Sequence, residues 1–364
     1  MKVLLVAGAR PNFMKIAPLV AALSEHDAFT PWLLHTGQHY DEEMSRVFFD
    51  ELGIPRPDED LGVGSASHAV QTAQIMTRFE PVLLRERPAL VVVVGDVNST
   101  VACALTAVKL GIPTAHVEAG LRSFDRTMPE EVNRVLTDAI SDLLFVSEPA
   151  GMANLEREGV AGEAHLVGNV MIDTLLEHEA QARARQAPER LGVEPGEYVL
   201  LTLHRPANVD DPSVLGGILD ALEEIGRDRP VLFPAHPRTR AAFASGGLDG
   251  RVKAMKGLRI LDPLGYLDFM GLLSDSMAVL TDSGGIQEET TVLGVPCLTL
   301  RDNTERPITI DEGTNTLVGR DPRAILRAFA EIGSGGGRTG RRPDLWDGQA
   351  ARRIVGILAS RERL

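Results

Sequence analysis

One stretch in the last third of the chain combines an apolar strand, a glycine turn and the start of a helix. It reads Met277-Ala278-Val279-Leu280-Thr281-Asp282-Ser283-Gly284-Gly285-Ile286-Gln287-Glu288-Glu289. The turn leaves backbone N–H groups at the positive end of a helix dipole, where phosphate groups bind. The stretch therefore predicts an α/β fold with an anion site at Ser283, Gly284 and Gly285. An ordinary capped helix without a ligand is the alternative.

The composition limits the class of protein. A length of 364 residues suggests two domains, and a hydrophobic fraction of 44% supports buried cores. The formal net charge of −14 argues against general nucleic-acid binding, so an anionic ligand needs a local basic pocket. The sequence contains no apolar run of membrane-spanning length, and its start resembles a first strand rather than a secretory signal. We therefore expect a cytoplasmic protein with no nucleic-acid or membrane partner.

Strand and helix patterns alternate along the chain, as is typical of α/β domains with parallel sheets. Strands are predicted at residues 2–7, 31–35, 89–94, 113–117, 143–146, 165–167, 198–203, 231–234, 258–261, 278–281 and 295–300. Helices are predicted at residues 12–24, 41–52, 100–109, 130–140, 214–226, 267–274, 286–293 and 349–359. Residues 174–196 predict an exposed helix that joins two α/β domains of similar size, which we expect to face each other across a cleft.

Polar residues cluster where the predicted strands end, which is where ligands bind in open parallel sheets. Each has a structural alternative: Asp96 as a helix cap, Glu118 as the partner of Arg122, and His204 as an interior histidine. The convergence of acids, a histidine and arginines at predicted ligand-side positions favours a ligand site. The candidates are Arg10, Lys15, Asp96, Glu118, Glu130, His204, Ser283 and Arg306, of which Glu130 lies at a helix start and Arg306 before Pro307.

Several sharper motifs are missing from the sequence. No G-x-G-x-x-G follows the first strand and no G-x-x-x-x-G-K-[ST] loop occurs, which disfavours a tightly bound nicotinamide and a P-loop nucleotide. His35 and His39 have metal-like spacing but no evident third ligand, so we expect no metal. Cys103 and Cys297 lie among apolar neighbours and are expected to be inert core thiols.

The motifs together resemble the non-hydrolysing UDP-N-acetylglucosamine 2-epimerase family. They follow the family's order over nearly the whole chain, and such a combination is far more specific than any single motif. The matching stretches are Gly8-Ala9-Arg10-Pro11 with Lys15, Gln38-His39, Gly95-Asp96, His116 to Arg122, Pro129 to Arg134, His204-Arg205, Thr281 to Glu289, and Arg301 to Pro307.

The resemblance implies two Rossmann-like domains in the glycosyltransferase-B arrangement, residues 1–170 and a UDP-binding domain of residues 171–345. A terminal helix at 346–364 would pack back on the first domain. It also implies that a homodimer interconverts UDP-GlcNAc and UDP-ManNAc, with no added cofactor, by elimination and re-addition of UDP.

The same resemblance assigns roles to individual residues. Asp96 is expected to transfer the proton at sugar carbon 2, and Glu118 and Glu130 to share proton transfer and stabilisation of the cationic ring. Glu289 is expected to hold ribose hydroxyls, and Phe269 to contact the uracil. The groups expected to hold the departing diphosphate are Arg10, Lys15, His204, Ser283, Gly284, Gly285 and Arg306.

Four other functions remain open from the sequence. A hydrolysing relative would release free ManNAc and UDP, and a close relative would epimerise a UDP-diacetamido sugar. A glycosyltransferase of the same fold would need an acceptor site, against which the acids near Asp96 argue. A catalytically silent nucleotide-sugar sensor would not need those acids at all.

The sequence also departs from the best-known bacterial members, which a second UDP-GlcNAc molecule activates. Asn12 stands where many members have Glu, and the segments at residues 205–210 and 236–238 differ from theirs. We therefore predict that such activation is weak or absent. Initial rates measured against UDP-GlcNAc alone should follow a hyperbola, and a strongly sigmoidal curve would contradict this prediction.

Overall fold

The computed structural model describes residues 1–37 and 49–361, without the side chain of Arg10. The chain forms two compact units, Met1–Glu177 with Asp344–Leu364 and His178–Pro343. None of the described helices has the length and apolar character of a membrane span. The expected helix at residues 41–52 and the Gln38-His39 motif lie wholly or mostly outside the described residues.

The first unit is built on a seven-stranded parallel sheet. Its strands are β1 (Lys2–Ala7), β2 (Thr30–His35), β3 (Glu59–Asp60), β4 (Leu90–Val94), β5 (Thr114–Ala119), β6 (Leu143–Val146) and β7 (Glu163–Leu166). They lie in the order β3-β2-β1-β4-β5-β6-β7. The strand order reverses between β1 and β4, and ligands of open parallel sheets bind at such a switch point. The described helices of this unit are Arg10–Ser24, His68–Glu86, Asn98–Lys109, Pro129–Ile140, Pro149–Glu158 and Ala350–Ala359. The helix Val170–Ala184 begins in this unit and ends in the second, because the boundary follows Glu177.

The second unit repeats this plan with six parallel strands. They are β8 (Val199–Thr202), β9 (Val231–Pro234), β10 (Leu258–Leu261), β11 (Ala278–Thr281), β12 (Cys297–Thr299) and β13 (Asn315–Leu317), in the order β10-β9-β8-β11-β12-β13. The switch point of this sheet lies between β8 and β11. The helices are Ala187–Arg190, Pro206–Val209, Pro212–Asp228, Pro237–Ser245, Asp249–Ala254, Tyr266–Ser274, Gly284–Leu293, Ile308–Asp311 and Pro322–Gly333.

The C-terminal segment belongs to the first unit. Trp346 is fully buried, and its indole Nε1–H donates to the Ser147 carbonyl oxygen at 2.9 Å. The Asp173 carboxylate accepts the backbone N–H groups of Ala350 (3.1 Å) and Ala351 (2.7 Å), which begin the last helix. The helix Ala350–Ala359 packs against the helix Arg10–Ser24. An apolar side chain and a capping carboxylate thus hold this segment in place.

The expected class, α/β with two parallel sheets, is confirmed by both sheets. The expected exposed helix at residues 174–196 is wrong, because two helices occur there, Val170–Ala184 and Ala187–Arg190, and Thr174 and Ala182 are fully buried. The small side chains of these two residues allow them to be buried, and the polar composition of the segment does not indicate this burial. The sequence patterns also missed the helices His68–Glu86, Pro149–Glu158, Pro237–Ser245 and Pro322–Gly333. The first of them contains Pro81, which locally argues against a helix.

Candidate active site

Asn12 ties the end of β1 to the end of β4. Its side-chain oxygen accepts the backbone N–H groups of Gly8 (3.0 Å) and Ala9 (2.8 Å), and its Nδ2 donates to the Val94 carbonyl oxygen (3.2 Å). These bonds need an acceptor and a donor on one short side chain, which an asparagine provides and an ionised glutamate does not. The turn after β1 is therefore fixed beside the end of β4.

Lys15 and Glu118 form a buried ion pair next to this turn. Lys15 Nζ contacts Glu118 Oε2, and both side chains are almost fully buried. Gly95 lies against them: a Cβ atom there would be 3.0 Å from Lys15 Nζ and 3.5 Å from Glu118 Oε2. In this structure Lys15 balances the charge of a candidate catalytic acid, and its expected contact with a diphosphate stays a prediction.

Glu118 occupies an unusual backbone position in β5. Val117 pairs with Phe145 and Ala119 with Val146, so Glu118 is the extra residue of a β-bulge. Its φ of 74° lies in the left-handed region, which costs a non-glycine residue about 1–3 kcal/mol. The bulge interrupts the alternation of side chains between the two faces of the sheet, and it lets the Glu118 side chain reach Lys15. Such strain is typical of functional sites.

Asp96 follows β4 after one residue, Gly95, and is held by the helix Pro129–Ile140. Its Oδ2 accepts a hydrogen bond from Arg134 Nη2 (2.7 Å), and its carbonyl oxygen accepts one from Asn133 Nδ2 (2.9 Å). About a quarter of the Asp96 side chain, 27%, remains exposed. A partly exposed carboxylate held by a buried guanidinium has a fixed orientation and an open side toward solvent.

Glu130 and Glu131 have different surroundings on the first turn of that helix. Glu131 is buried and accepts the backbone N–H groups of Ser123 (2.9 Å) and Phe124 (2.8 Å), so it holds the loop that follows β5. Glu130 is half-buried. The helix that carries Glu130 also supplies the contacts to Asp96, so the structure connects these candidate acids through one rigid element.

His204 and Asp282 form the corresponding pair at the switch point of the second unit. His204 Nδ1 lies 2.9 Å from Asp282 Oδ1, and Asp282 Oδ2 accepts the backbone N–H groups of His204 (3.0 Å) and Arg205 (2.9 Å). Burial alone raises the pKa of Asp282, but His204 and these N–H groups together lower it below its ordinary value. The ionised Asp282 therefore orients a half-exposed imidazole.

Asp282 is absent from the site residues that the sequence motifs indicate. Its position could have indicated it, because Asp282 directly follows a buried strand in the stretch from Met277 to Glu289. An acid just before a serine-glycine turn also serves as a helix cap, so its position alone does not show that it holds His204.

The turn Ser283-Gly284-Gly285 starts the helix Gly284–Leu293, as the sequence predicts. A Cβ atom on Gly284 would lie 2.5 Å from Arg306 Nη1 and 2.6 Å from Glu305 Oε1. The glycine is thus required by the side chains packed against it. The sequence suggests another reason for the glycine, which is that it leaves space for an anion to approach the backbone. That reason remains a prediction.

Arg306 is almost fully buried between two carboxylates. Its Nη1 donates to Glu305 Oε1 at 2.6 Å, and its Nε lies 2.7 Å from Glu288 Oε1. Burial alone raises the pKa of Glu305, but Arg306 and Arg301 hold it well below the ordinary value. Arg306 therefore stabilises the start of the glycine-turn helix, and the expected diphosphate contact is untested.

Glu289 is buried in the same helix. Tyr266 Oη donates to its Oε1 at 3.2 Å, and burial raises the pKa of Glu289 to about 8. Phe269, Leu264 and Ile286 lie partly buried against the neighbouring apolar core, with part of each side chain accessible. A mostly protonated carboxyl group can both donate and accept hydrogen bonds, which suits it to sugar hydroxyls.

The described part of the chain contains no group of three His, Cys, Asp or Glu side chains that could hold a metal ion. The side chain of Arg10 lies outside the described residues, so its expected role has no structural test.

The model of the UDP-N-acetylglucosamine 2-epimerase family matches residues 21–359 of the chain. The chain belongs to this family. It is 42% identical to the UDP-N-acetylglucosamine 2-epimerase of Methanocaldococcus jannaschii, over 98% of this chain and 99% of that protein. The crystal structure of the Methanocaldococcus jannaschii enzyme in complex with UDP-GlcNAc and UDP is similar to this chain, with a TM-score of 0.92 and 99% of each chain covered.

A second relative of similar identity is named for a different substrate. The chain is 43% identical to the UDP-2,3-diacetamido-2,3-dideoxy-D-glucuronate 2-epimerase of Pseudomonas aeruginosa, over 88% of each protein. The family and the isomerase class are therefore shown, and identity alone does not choose between the two sugars.

The raised pKa of Glu289 predicts a pH-dependent stability. Burial raises this pKa from 4.5 to about 8, so the folded protein binds more protons there than the unfolded chain between these values. The stabilising protonated form is lost as pH rises. From about pH 5 to 7, the free energy of unfolding should fall, relative to Glu289→Gln, by up to about 1.4 kcal/mol per pH unit.

Urea unfolding at several pH values measures this difference. Glu25→Gln, at an exposed position of the first unit, is the control and should follow the wild type. Parallel pH profiles for the wild type and Glu289→Gln would show that Glu289 titrates normally.

Proposed function

We propose that this chain is a non-hydrolysing UDP-N-acetylglucosamine 2-epimerase that interconverts UDP-GlcNAc and UDP-ManNAc. The observation that carries the proposal is the set of carboxylates around the β1–β4 switch point, where Asp96 and Glu118 are each held by a buried cation. Family membership and the Methanocaldococcus jannaschii enzyme support the substrate class.

The chemistry explains why carboxylates are needed there. The hydrogen on carbon 2 of the sugar is not next to a carbonyl and is a poor acid. When the bond between carbon 1 and the diphosphate oxygen breaks, UDP leaves with the electron pair and the ring gains positive charge. A carboxylate then removes the proton from carbon 2, which gives 2-acetamidoglucal and UDP. UDP adds back while a proton arrives from the opposite face.

The groups of the first unit are suited to the proton and the ring. Asp96 is the proposed proton carrier at carbon 2, because it is partly exposed and Arg134 fixes its orientation. Glu118 and Glu130 are proposed to share proton transfer and stabilisation of the cationic ring. A well-placed acid or base contributes roughly 10²–10⁴-fold to the rate.

The groups of the second unit are suited to UDP. The N–H groups at Ser283, Gly284 and Gly285 are proposed to bind the diphosphate, and His204, held by Asp282, to stabilise it as it departs. Arg10, Lys15 and Arg306 are proposed to add positive charge. Glu289 is proposed to bind the ribose, and Phe269 the uracil.

The UDP-diacetamido-glucuronate reaction is a second candidate, favoured by the 43% identity to the Pseudomonas aeruginosa enzyme. The two candidates share the same elimination chemistry and differ in the groups at sugar carbons 3 and 6. Turnover of the second nucleotide sugar with no turnover of UDP-GlcNAc would replace the first proposal by the second.

We further propose that the enzyme is a homodimer in the cytoplasm. The helices His68–Glu86 and Pro129–Ile140 expose Val70, Leu84 and Leu136, each about half accessible. A shallow groove of about 510 Å³ runs along these helices, lined mostly by apolar atoms. An apolar surface of this kind favours contact with a second copy.

Both cysteines are buried free thiols, which suits a reducing compartment.

The reaction is tested by incubating the protein with UDP-GlcNAc in deuterated water and following the products by NMR. Epimerisation should place deuterium on carbon 2 of both UDP-GlcNAc and UDP-ManNAc, because the proton exchanges with solvent. Free ManNAc would indicate a hydrolase. Absence of exchange without an added acceptor would favour a transferase or a sensor.

Asp96→Asn is the variant that tests the proton carrier. It preserves the size of the side chain and removes the base, so turnover should fall on the order of 10²–10⁴-fold. Asp27→Asn, at an exposed position, is the matched control and should keep the wild-type rate. Near-normal exchange in Asp96→Asn would reassign the proton transfer to another acid.

The dimer is tested by light scattering. The wild type should have a mass near twice the 39.3 kDa of one chain. Leu136→Arg should shift it toward the single-chain mass, because it places a charge on the proposed apolar contact. Leu166→Arg, at an exposed position on β7, is the control and should remain dimeric. A wild type with the mass of one chain would contradict the proposal.

A further inference from the structure

A fully buried histidine lies behind the end of β4 and faces two hydrogen-bond acceptors. His116 Nδ1 is 2.7 Å from Asp138 Oδ1, and His116 Nε2 is 2.8 Å from the Gly95 carbonyl oxygen. A carbonyl oxygen has no proton to donate, so the Nε2 atom must carry the hydrogen. The protonation of Asp138 then decides the state of the ring.

Asp138 is placed as an ionised acceptor. Its Oδ2 accepts the backbone N–H of Gly120 (3.1 Å) and a guanidinium N–H of Arg122 (2.7 Å). Burial alone raises the pKa of Asp138, but His116 and Arg122 hold it below its ordinary value. An ionised carboxylate only accepts, so the hydrogen on the His116–Asp138 bond belongs to Nδ1. Both ring nitrogens then carry hydrogens.

The buried positive charge of the ring is balanced locally. Arg122 pairs with Asp138 and also with Glu158, at 2.6 Å from Nη2 to Oε2. Two cations, His116 and Arg122, therefore face two carboxylates. Pairing of this kind offsets the cost of removing the charges from water, and removing one member leaves an uncompensated charge.

The ring acts on the peptide that carries the proposed proton carrier. Gly95 has a φ of 67° and directly precedes Asp96. Its Cα also faces the Lys15–Glu118 ion pair. The carbonyl that His116 holds is thus the one whose peptide bond leads to Asp96.

We propose that His116 is a positioning residue: with a hydrogen on each ring nitrogen, its ring is held by Asp138 and fixes the Gly95–Asp96 peptide through the Gly95 carbonyl oxygen. The part of this proposal by which the fixed peptide places Asp96 for proton transfer rests on the proposed function. Besides Asp138, Arg122 and Glu158, the charged groups on the side of the site are Lys15, which pairs with Glu118, and Arg134, which pairs with Asp96.

The charge on the ring is tested by NMR of the wild-type protein with ¹⁵N-labelled histidine. Both His116 ring nitrogens should carry hydrogens, because each faces a hydrogen-bond acceptor. A ring with a hydrogen on only one nitrogen at about pH 7 would overturn the proposal. This measurement needs no substrate, so its result does not depend on whether the proposed function is correct.

His116→Gln tests the positioning role, because a glutamine side chain is neutral and donates hydrogen bonds through one nitrogen only. The kcat should fall on the order of 10²-fold with little change in KM, since a small misplacement of a catalytic group has this effect. An unchanged kcat would overturn the proposal.

His165→Gln is the matched control, since His165 on β7 also pairs with a carboxylate, Glu163, at 2.9 Å. It should keep the wild-type kcat and KM. The backbone amide signals of Gly95 and Asp96 should shift in His116→Gln and not in His165→Gln. If the wild type does not exchange deuterium into UDP-GlcNAc, the proposed function fails, and these signals still decide whether His116 positions the peptide.

Discussion

In each unit, the position of the candidate residues depends on the reversal of strand order in its parallel sheet. At β1–β4 and at β8–β11 the connecting helices lie on opposite sides, so the carboxyl ends of two neighbouring strands remain uncovered. Backbone N–H and carbonyl groups at these ends need partners, and side chains supply them. Asn12 joins the turn after β1 to β4 in the first unit, and Asp282 holds the turn after β8 in the second.

Paired charges in buried surroundings give the site its rigidity. Glu118 pairs with Lys15, and Asp282 with His204. The Lys15–Glu118 pair is buried on both sides, and such a pair is stable only with good geometry. In the second pair only Asp282 is buried, and it orients the half-exposed His204. Proton transfer requires such fixed orientation, because the donor and acceptor must lie within hydrogen-bond distance. Arg306 is fixed in the same way, because the carboxylates of Glu288 and Glu305 hold it against the start of the glycine-turn helix.

Most of the candidate site residues could be predicted from local motifs in the sequence. Asp96 and Ser283 each lie two residues after an apolar strand, and Glu118 lies near the end of one, so the period of the strands was enough to place each at the carboxyl edge of its own sheet. The acids of the Pro129–Ile140 helix were also found, but their separate roles were not. Glu131 is buried against the next loop and Glu130 is half-buried, and this difference depends on how the loop folds back.

The sequence alone determined the α/β class, the position of the glycine turn and the strand-end candidates, because strand periodicity and turn chemistry are local properties of the chain. Only the tertiary structure decided which charges meet. Lys15 and Glu118 are 103 residues apart, and His204 and Asp282 are 78 apart. Such pairs arise when the order of strands in a sheet brings distant segments together, and that order follows from the packing of all the strands and helices at once.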